Sequence, residues 1–531
     1  MAFIFSFLLA AAESVVFRQN YLNFFQEFSL RAAGDARELF YVVFSFAALF
    51  FFVRSTLVSR FAWQCVYFGV FAFAISVEYG FHGALGRFTL PSDFENTFYA
   101  SDASDKFGAI TLFFSWLIVV PLVAYRWLFR FSNENAAKGV RLFALNTLIL
   151  FGGFWLAADF YRQALPTNAF AAHLNNLTVS ALYLSELKST PKIRQQVPPI
   201  ANAAPRNNIV FIVDESVRAD HLSINGYGRK TTPTLEVLEK ENLLKNWRFA
   251  ASGATESVGS NRLLLSGLAD LPDRENQIFT LPTIFQYARA AGYQTVYFDG
   301  QDYADWIGNE TDRRDFGQVF TSKDFPEVAP HDLDRAFAAK INEIVKNSPG
   351  NFVWVNKRGV HFRYEKNYPT ERAIWTPTDL EADKAQLATN RPLENNYDNA
   401  VLYNSETFFQ SLIGAETPRD TVFIYTSDHG QTLLHNRAPH AGDSKTEALV
   451  PLFIIGRDAR LDNADTNYAA SHRNLFATVL DLMDFPKQLR VYHYAPSLFE
   501  AKARDSKPRT YFVGNLSGAF GGKKMVFDET D

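Results

Sequence analysis

Cysteine is almost absent from this sequence of 531 residues, in which Cys65 is the single example. A disulfide framework within the chain is therefore excluded, although one cysteine says nothing about the redox compartment. An excess of positive charge is also lacking, because the net charge is −4, and nothing in this balance indicates a nucleic-acid partner. The opening residues Met-Ala-Phe-Ile lack the basic region with which a cleaved signal peptide begins.

Apolar residues, in contrast, are plentiful. The chain is 48% hydrophobic and 15% aromatic, yet its mean hydropathy is only −0.10. These values predict an apolar portion joined to an ordinary soluble portion. The length is sufficient for two or three domains.

Five apolar runs in the N-terminal third predict membrane-spanning helices. Each has close to the length that crosses the hydrocarbon core, although some are at the short end. A buried core helix is the alternative for any one of them, but five in succession with almost no internal charge argue against it. The runs are Phe3–Phe17, Leu39–Val53, Phe61–Val77, Ala109–Tyr125 and Leu142–Ala158.

Basic residues between these runs predict the orientation of the protein. Arg54 and Arg60 flank the second connection, and four more lysines and arginines crowd the fourth. The positive-inside rule places both connections in the cytoplasm. With five spans, everything after Ala158 is then expected in the periplasm, or outside a cell that has one membrane.

Three parts of the chain are predicted: a transmembrane domain of five helices (1–160), a bridging helix with a linker (161–206) and a periplasmic catalytic domain (207–531). The bridging helix is either amphipathic on the membrane surface or a plain connection. In the third part, apolar strand-like runs, among them 295–299, 352–355 and 449–455, alternate with helical segments. This alternation predicts a three-layer α/β/α domain.

Two of these apolar runs end in residues that could bind a metal. The run 208–214 ends at Asp214 and Glu215, and the run 421–427 is followed directly by Asp428 and His429. Because ligands bind beyond the carboxyl ends of such strands, these side chains converge if the strands are neighbours. Oxygen and nitrogen ligands in that number suit zinc or a similar divalent metal.

Small hydroxyl residues between the two strands are candidate nucleophiles. The segment 251–267 places Thr255 and Ser257 before an apolar helical stretch. Beside a divalent metal, such a hydroxyl could lose its proton and attack phosphorus. The alternative is that these residues only cap the helix, which is the commoner role of serine and threonine in this position.

Together these motifs resemble the membrane-bound phosphoethanolamine transferases that modify lipid A, within the alkaline phosphatase and sulfatase superfamily. The resemblance covers nearly the whole chain and implies an alkaline-phosphatase-like fold. It implies that Glu215, Asp428 and His429 are metal ligands. It also implies that His361, in Arg-Gly-Val-His, and His440, in Pro-His-Ala-Gly, lie near the donor phosphate or a second zinc ion.

The same resemblance bears on the nucleophile. The family's pattern of hydroxyl residues falls on Thr255, Ser257 and Ser260, with Ser257 in the place of the threonine that the family phosphorylates. The resemblance therefore implies that Ser257 becomes phosphorylated and also contacts the metal. Thr255 is the second candidate. The family's disulfide-forming cysteines around this loop are missing here, so either another interaction holds the loop or the chain represents a distinct subfamily with another acceptor.

The implied function is zinc-dependent transfer, with one or two Zn²⁺ ions or another divalent metal. Phosphoethanolamine would pass from phosphatidylethanolamine to an envelope acceptor such as lipid A, at the inner membrane of a bacterium. The alternatives are a glycerol-phosphate transferase, a periplasmic phosphodiesterase or sulfatase-like hydrolase, and a non-catalytic membrane protein. A formylglycine sulfatase is disfavoured, since Ser257-Val-Gly-Ser does not fit the required motif.

Four other residues are of types that could bind a metal or act in catalysis, but we expect structural roles for them. Asp214 is expected to accept hydrogen bonds from neighbouring turns rather than to bind metal. His221 is expected to pack or cap, His435 to lie in a loop, and His472 to be structural.

Overall fold

The computed structural model describes most of residues 193–528 and a few short pieces between residues 47 and 79. The stretches left out of the larger part are 201–203, 206, 270, 274–276, 302–312, 348, 381–390, 415–416, 435–439 and 515–522. Apart from those short pieces, the predicted membrane runs lie outside the described residues, as do residues 161–192 of the predicted bridge. Among the residues described, no helix combines the length and the apolar character needed to cross a bilayer.

The chain divides into two compact units. One comprises residues 1–190 with 518–522, and the other comprises residues 191–517 with 523–531. In the first unit the described residues are helical, and Leu49 and Glu78 are buried. The second unit contains every candidate site residue.

A seven-stranded sheet forms the centre of the second unit, with strand order β2-β7-β6-β1-β5-β3-β4. The two remaining strands, β8 and β9, pair with each other. The strands are β1 Asn208–Asp214, β2 Leu244–Ala251, β3 Gln294–Asp299, β4 Gln318–Thr321, β5 Asn351–Asn356, β6 Thr421–Ser427, β7 Leu449–Ile455, β8 Thr510–Val513 and β9 Lys523–Val526.

Helices of the second unit follow the strands through most of the chain. Within the described residues, the α-helices are α1 Pro233–Lys240, α2 Ser257–Ser266, α3 Ile284–Ala290, α4 Leu333–Asn347, α5 Arg391–Leu412, α6 Lys445–Ala448 and α7 Leu475–Leu482.

The five strands from β6 to β4 run parallel, whereas β7 and β2 are antiparallel to their neighbours. Every residue of β1, β5 and β6 is buried, because helices cover both faces of the sheet. Phe211 and Ile424 point into one hydrophobic core with α3 and α7. Ile212 and Phe423 point into a second core with α4 and α5. The predicted α/β architecture with two helical layers is therefore confirmed for this unit.

Candidate metal centre

Two carboxylates meet at the end of neighbouring parallel strands. In the register of β1 and β6, Asp214 lies opposite Ser427. The next residue along each strand is Glu215 and Asp428, so both acids leave the sheet at one point. The backbone N–H of Asp428 donates to the carbonyl of Asp214 at 2.9 Å, which extends the ladder up to the site.

One carboxylate oxygen of Asp428 accepts backbone hydrogen bonds, and the other has no described hydrogen-bond partner. Oδ1 accepts N–H groups from Ser216 at 3.0 Å and from His429 at 2.7 Å. Ser216 reaches this position with a left-handed backbone, at a φ of 65°. Oδ2 of Asp428 is buried and has no hydrogen-bond partner among the described residues. An unpaired buried carboxylate oxygen is costly unless a cation is present.

His429 completes a buried group of three. Ligand atoms of Glu215, Asp428 and His429 all lie within 4.8 Å of one another. Nε2 of His429 is 3.6 Å from Oε1 of Glu215 and 3.6 Å from Oδ2 of Asp428. The side chains are 0–2% exposed. No described group of this kind occurs elsewhere in the chain.

The tautomer of His429 favours a metal at this place. Its Nδ1 lies 2.7 Å from the carbonyl oxygen of Gly430, which can only accept a hydrogen bond, so Nδ1 carries the proton. Nε2 then turns its lone pair towards Glu215 and Asp428. A histidine that donates through one nitrogen to a backbone carbonyl and offers the other is the usual arrangement of a metal ligand.

The electrostatics of the two carboxylates also favour a cation. Burial raises the pKa of Glu215 well above its ordinary value, and the nearby charge of Asp428 raises it further. Burial also acts to raise the pKa of Asp428, but the nearby ring of His429 and hydrogen bonds from its neighbours outweigh this effect, so the pKa is lowered. Two buried carboxylates in contact resist ionising together. A divalent cation would remove that conflict, so the residues present fit a metal such as zinc.

Ser257 lies beside this group. Its hydroxyl oxygen is 3.2 Å from Oε2 of Glu215 and 3.2 Å from Nε2 of His429. Ser257 is the first residue of α2, but it is not the cap of that helix. Glu256 is the cap, because its carboxylate accepts the N–H groups of Val258 at 2.9 Å and Gly259 at 2.6 Å. The Ser257 hydroxyl is thereby left to face the three candidate ligands.

Thr255 has a different set of contacts. Its hydroxyl donates to the carbonyl of Gly442 at 3.0 Å, and its own carbonyl accepts the N–H of Ala441 at 2.8 Å. The side chain is fully buried. Thr255 therefore holds the segment that follows His440, and its hydroxyl is committed to the backbone.

The two other predicted histidines lie near the group of three. The ring centroid of His440 is 4.6 Å from that of His429, and the centroid of His361 is 6.3 Å from that of His440. His361 is solvent-exposed, and its Nδ1 lies 2.6 Å from the carbonyl of Phe362. The three rings therefore form a series that leads from the buried His429 through His440 to the solvent-exposed His361.

The residues given structural roles make structural contacts. Asp214 accepts hydrogen bonds from the N–H of Glu215 at 2.9 Å and the hydroxyl of Tyr425 at 2.7 Å. It also pairs with the buried Lys357, which sequence reasoning did not single out. His221 lies 2.7 Å from Oδ1 of Asp398. His435 is outside the described residues.

The profile of the sulfatase family matches residues 207–485, which is more than half of the chain and spans both candidate metal-binding strands. The chain belongs to the sulfatase family.

Curated relatives within this comparison are phosphoethanolamine transferases. Kdo(2)-lipid A phosphoethanolamine 7''-transferase of Escherichia coli K12 is 24% identical over 309 residues, covering 53% of this chain and 53% of that protein. Phosphoethanolamine transferase EptA of the same strain is 22% identical over 426 residues, covering 74% of each. The chain spans about half the length of the first curated relatives it matches.

Among solved structures, the chain is similar to the integral membrane protein lipooligosaccharide phosphoethanolamine transferase A (EptA) from Neisseria meningitidis. The TM-score is 0.63 at 21% identity, with 91% of this chain and 97% of that one covered. This likeness shows that the fold is shared.

Proposed function

We propose that this sulfatase-family chain is a metal-dependent phosphoethanolamine transferase. It takes phosphoethanolamine from phosphatidylethanolamine and passes it to a lipid or glycan of the cell envelope, such as lipid A. The observation that carries the proposal is the place of the Ser257 hydroxyl, 3.2 Å from both Glu215 and His429. The names of the relatives support the identity of the transferred group.

Glu215, Asp428, His429 and the hydroxyl of Ser257 would hold the metal, with Zn²⁺ as the expected ion. When bound, it lowers the pKa of a neighbouring hydroxyl and stabilises negative charge on phosphoryl oxygens. These four residues offer the mixed nitrogen and oxygen ligands that zinc accepts.

The first half of the reaction forms a covalent intermediate on Ser257. Its Oγ loses a proton and forms a bond to the phosphorus of the donor lipid. The bond between phosphorus and the glycerol oxygen breaks, and that oxygen leaves with a proton as diacylglycerol. His361, which is solvent-exposed, and His440, which lies beside His429, supply this proton or contact the phosphoryl oxygens.

The second half regenerates the serine. A hydroxyl or phosphate oxygen of the acceptor bonds to phosphorus and gives up its proton, and the bond from phosphorus to Oγ of Ser257 breaks. Oγ regains a proton, so protons and bonds balance over the cycle. A covalent intermediate divides one difficult transfer into two displacements with lower barriers.

The donor is a membrane lipid, so the proposal includes the location predicted from the sequence. The chain is then a multi-pass protein of the bacterial inner membrane, and residues 207–531 face the periplasm. This location brings the reacting groups to the side of the membrane where envelope acceptors are found.

Mass spectrometry of the purified full chain after incubation with phosphatidylethanolamine tests the proposal. We expect a phosphoethanolamine adduct on the wild type and on Thr255→Ala, and none on Ser257→Ala. Loss of the adduct only in Thr255→Ala would keep the function and move the nucleophile. An adduct with phosphatidylglycerol instead would indicate a glycerol-phosphate transferase. Absence of an adduct with either lipid would contradict the proposal and favour a hydrolase or a non-catalytic protein.

A further inference from the structure

We infer that His472 is a positioning residue for this reaction. As a neutral ring with its proton on Nε2, it ties the loop that carries Ser257 to the end of β6, next to Asp428. The inference rests on the proposed function only in taking Ser257 as the nucleophile. It answers a question raised by the sequence, which is what holds this loop in a chain without disulfides.

The ring of His472 bridges two segments that are far apart in sequence. Its Nε2 lies 2.9 Å from the carbonyl oxygen of Ser427 and 3.1 Å from the hydroxyl of Thr426, both at the end of β6. Its Nδ1 lies 3.2 Å from the backbone nitrogen of Gly253, four residues before Ser257. His472 is 3% exposed, so water cannot replace either contact readily.

The partners of the ring define its tautomer. The Ser427 carbonyl can only accept, so Nε2 must carry the proton. The Gly253 N–H can only donate, so Nδ1 must present its lone pair. A protonated ring would set an N–H of Nδ1 against the N–H of Gly253. One neutral tautomer therefore satisfies both sides, and it does so with the two nitrogens in opposite roles.

The end of β6, which the His472 ring contacts, also binds the backbone around Glu215. The hydroxyl of Ser427 donates to the carbonyl of Asp214 at 3.0 Å and accepts the N–H of Val217 at 2.8 Å. Ser427 thus joins β6 to the chain on both sides of Glu215. His472 therefore connects the loop that carries Ser257 to the end of β6, and the same strand end holds the backbone on both sides of Glu215 and precedes Asp428.

The loop that carries Ser257 has further contacts, at its start near Ala251 and at its end near α2. The residue before His472, Ser471, forms a parallel bridge with Ala251. On the helix side, the hydroxyl of Ser260 binds the carbonyl of Ala254 at 3.0 Å. None of these contacts reaches β6. The carbonyl of Gly253 also accepts the N–H of Phe512 at 3.0 Å. Among the contacts that the structure describes for Gly253, the one with His472 is the one that leads to the end of β6, next to Asp428.

Three variants test the inference. His472→Phe keeps a ring but removes both hydrogen bonds. His472→Asn keeps an oxygen close to the position of Nδ1 and can still accept from Gly253. Thr478→Val is the matched control, because Thr478 is buried in the following helix and its hydroxyl donates to Asn474 at 2.7 Å and accepts from Leu498 at 2.9 Å, without touching the loop.

Four readouts are compared on the full chain: thermal unfolding, zinc content, amide hydrogen exchange of residues 250–257, and the rate of adduct formation with phosphatidylethanolamine. In His472→Phe we expect faster exchange in the loop, retained zinc and an adduct rate lower by about 100-fold, because a small misplacement of the nucleophile is enough for such a loss. In His472→Asn we expect a loss of about 10-fold, since one hydrogen bond is kept.

The control separates positioning from stability. Thr478→Val is expected to unfold at a lower temperature while its loop exchange and adduct rate stay as in the wild type. Unchanged exchange and rate in His472→Phe would overturn the inference, and so would an equal loss of rate in Thr478→Val. If the wild type forms no adduct, the donor assignment fails, and loop exchange in His472→Phe alone then decides whether the tether exists.

Discussion

Lys357 and Asp214 form an ion pair that is buried directly behind the candidate metal centre, with side chains 0% and 3% exposed. The ammonium nitrogen lies 4.5 Å from the ring centre of Phe408. The other carboxylate oxygen of Asp214 accepts the N–H of Glu215 at 2.9 Å. The pair therefore fixes the backbone at the first candidate ligand without contributing a ligand itself.

Replacement of Lys357 by methionine is expected to destabilise the second unit strongly. Asp214 would be left as a buried charge without a cation, and breaking such a pair costs about 3–5 kcal/mol. Chemical unfolding of the full chain in detergent measures the change. Lys340→Met is the matched control, because Lys340 pairs with Glu343 on a helix surface with side chains 31% and 59% exposed, and such pairs contribute about 0.5 kcal/mol or less. Equal effects of the two changes would contradict the expectation.

Asp428→Asn is expected to weaken zinc binding by about 100-fold or more, because a neutral amide replaces one of the two buried carboxylates proposed as ligands. Zinc retained after dialysis against a weak chelator, measured by elemental analysis, provides the test. Asp458→Asn serves as the control, since that carboxylate pairs with Arg460 and belongs to a different part of the unit. Wild-type zinc affinity in Asp428→Asn would remove this residue from the metal site.

Burial lowers the pKa of His472 to about 4 from an ordinary value of 6.5, although the hydrogen bond with the Ser427 carbonyl and the charge of Asp428 act to raise it. Between these values the unfolded chain binds a proton that the folded protein does not, so stability decreases as the pH falls. The contribution is fully present above pH 6.5 and amounts to about 3 kcal/mol over the window.

Unfolding curves of wild type and His472→Asn at a series of pH values measure this effect. The variant lacks the titrating group, so its stability should depend less on pH in the window between these two pKa values. Thr478→Val keeps His472 and should retain the full dependence. Parallel curves for wild type and His472→Asn would show that the ring is not kept neutral by the fold.

Thr255→Val should slow adduct formation by about fivefold without abolishing it. The change removes the hydrogen bond from the Thr255 hydroxyl to Gly442, worth about 1 kcal/mol, and loosens the segment after His440. Thr407→Val is a suitable control, because that hydroxyl only bonds the carbonyl of Tyr403 within α5. Complete loss of the adduct would instead identify Thr255 as the nucleophile.

Much of the sheet could be predicted because its central strands are buried on both faces. The apolar runs at 208–214 and 421–427 became β1 and β6, and the runs near 295, 352 and 449 became β3, β5 and β7. β2 was not predicted, because Lys245 and Arg248 interrupt its sequence. That strand lies at the edge of the sheet, where one side of the ladder tolerates charge.

The candidate site likewise has residues that the local sequence predicts and contacts that it does not. Glu215 and Asp428 follow from local pattern, since each ends a predicted strand. The approach of Ser257 to His429 spans 172 residues, and no periodicity in either segment encodes it. The sequence also offered Thr255 and Ser257 as caps of α2, because serine and threonine are common caps and glutamate is not. In the structure the cap is Glu256. The tether formed by His472 depends on tertiary contacts that the sequence does not display.

Glu256 has a consequence for the order of events. Its carboxylate occupies the N–H groups at the start of α2, which would otherwise attract a phosphate. Together with Asp428, it keeps negative charge at the site until a cation arrives, whereas burial and Asp428 raise the pKa of Glu215 and favour its neutral form. The metal-free protein should therefore repel the phosphodiester that it is proposed to bind. Loading is then sequential, with the metal entering before the lipid.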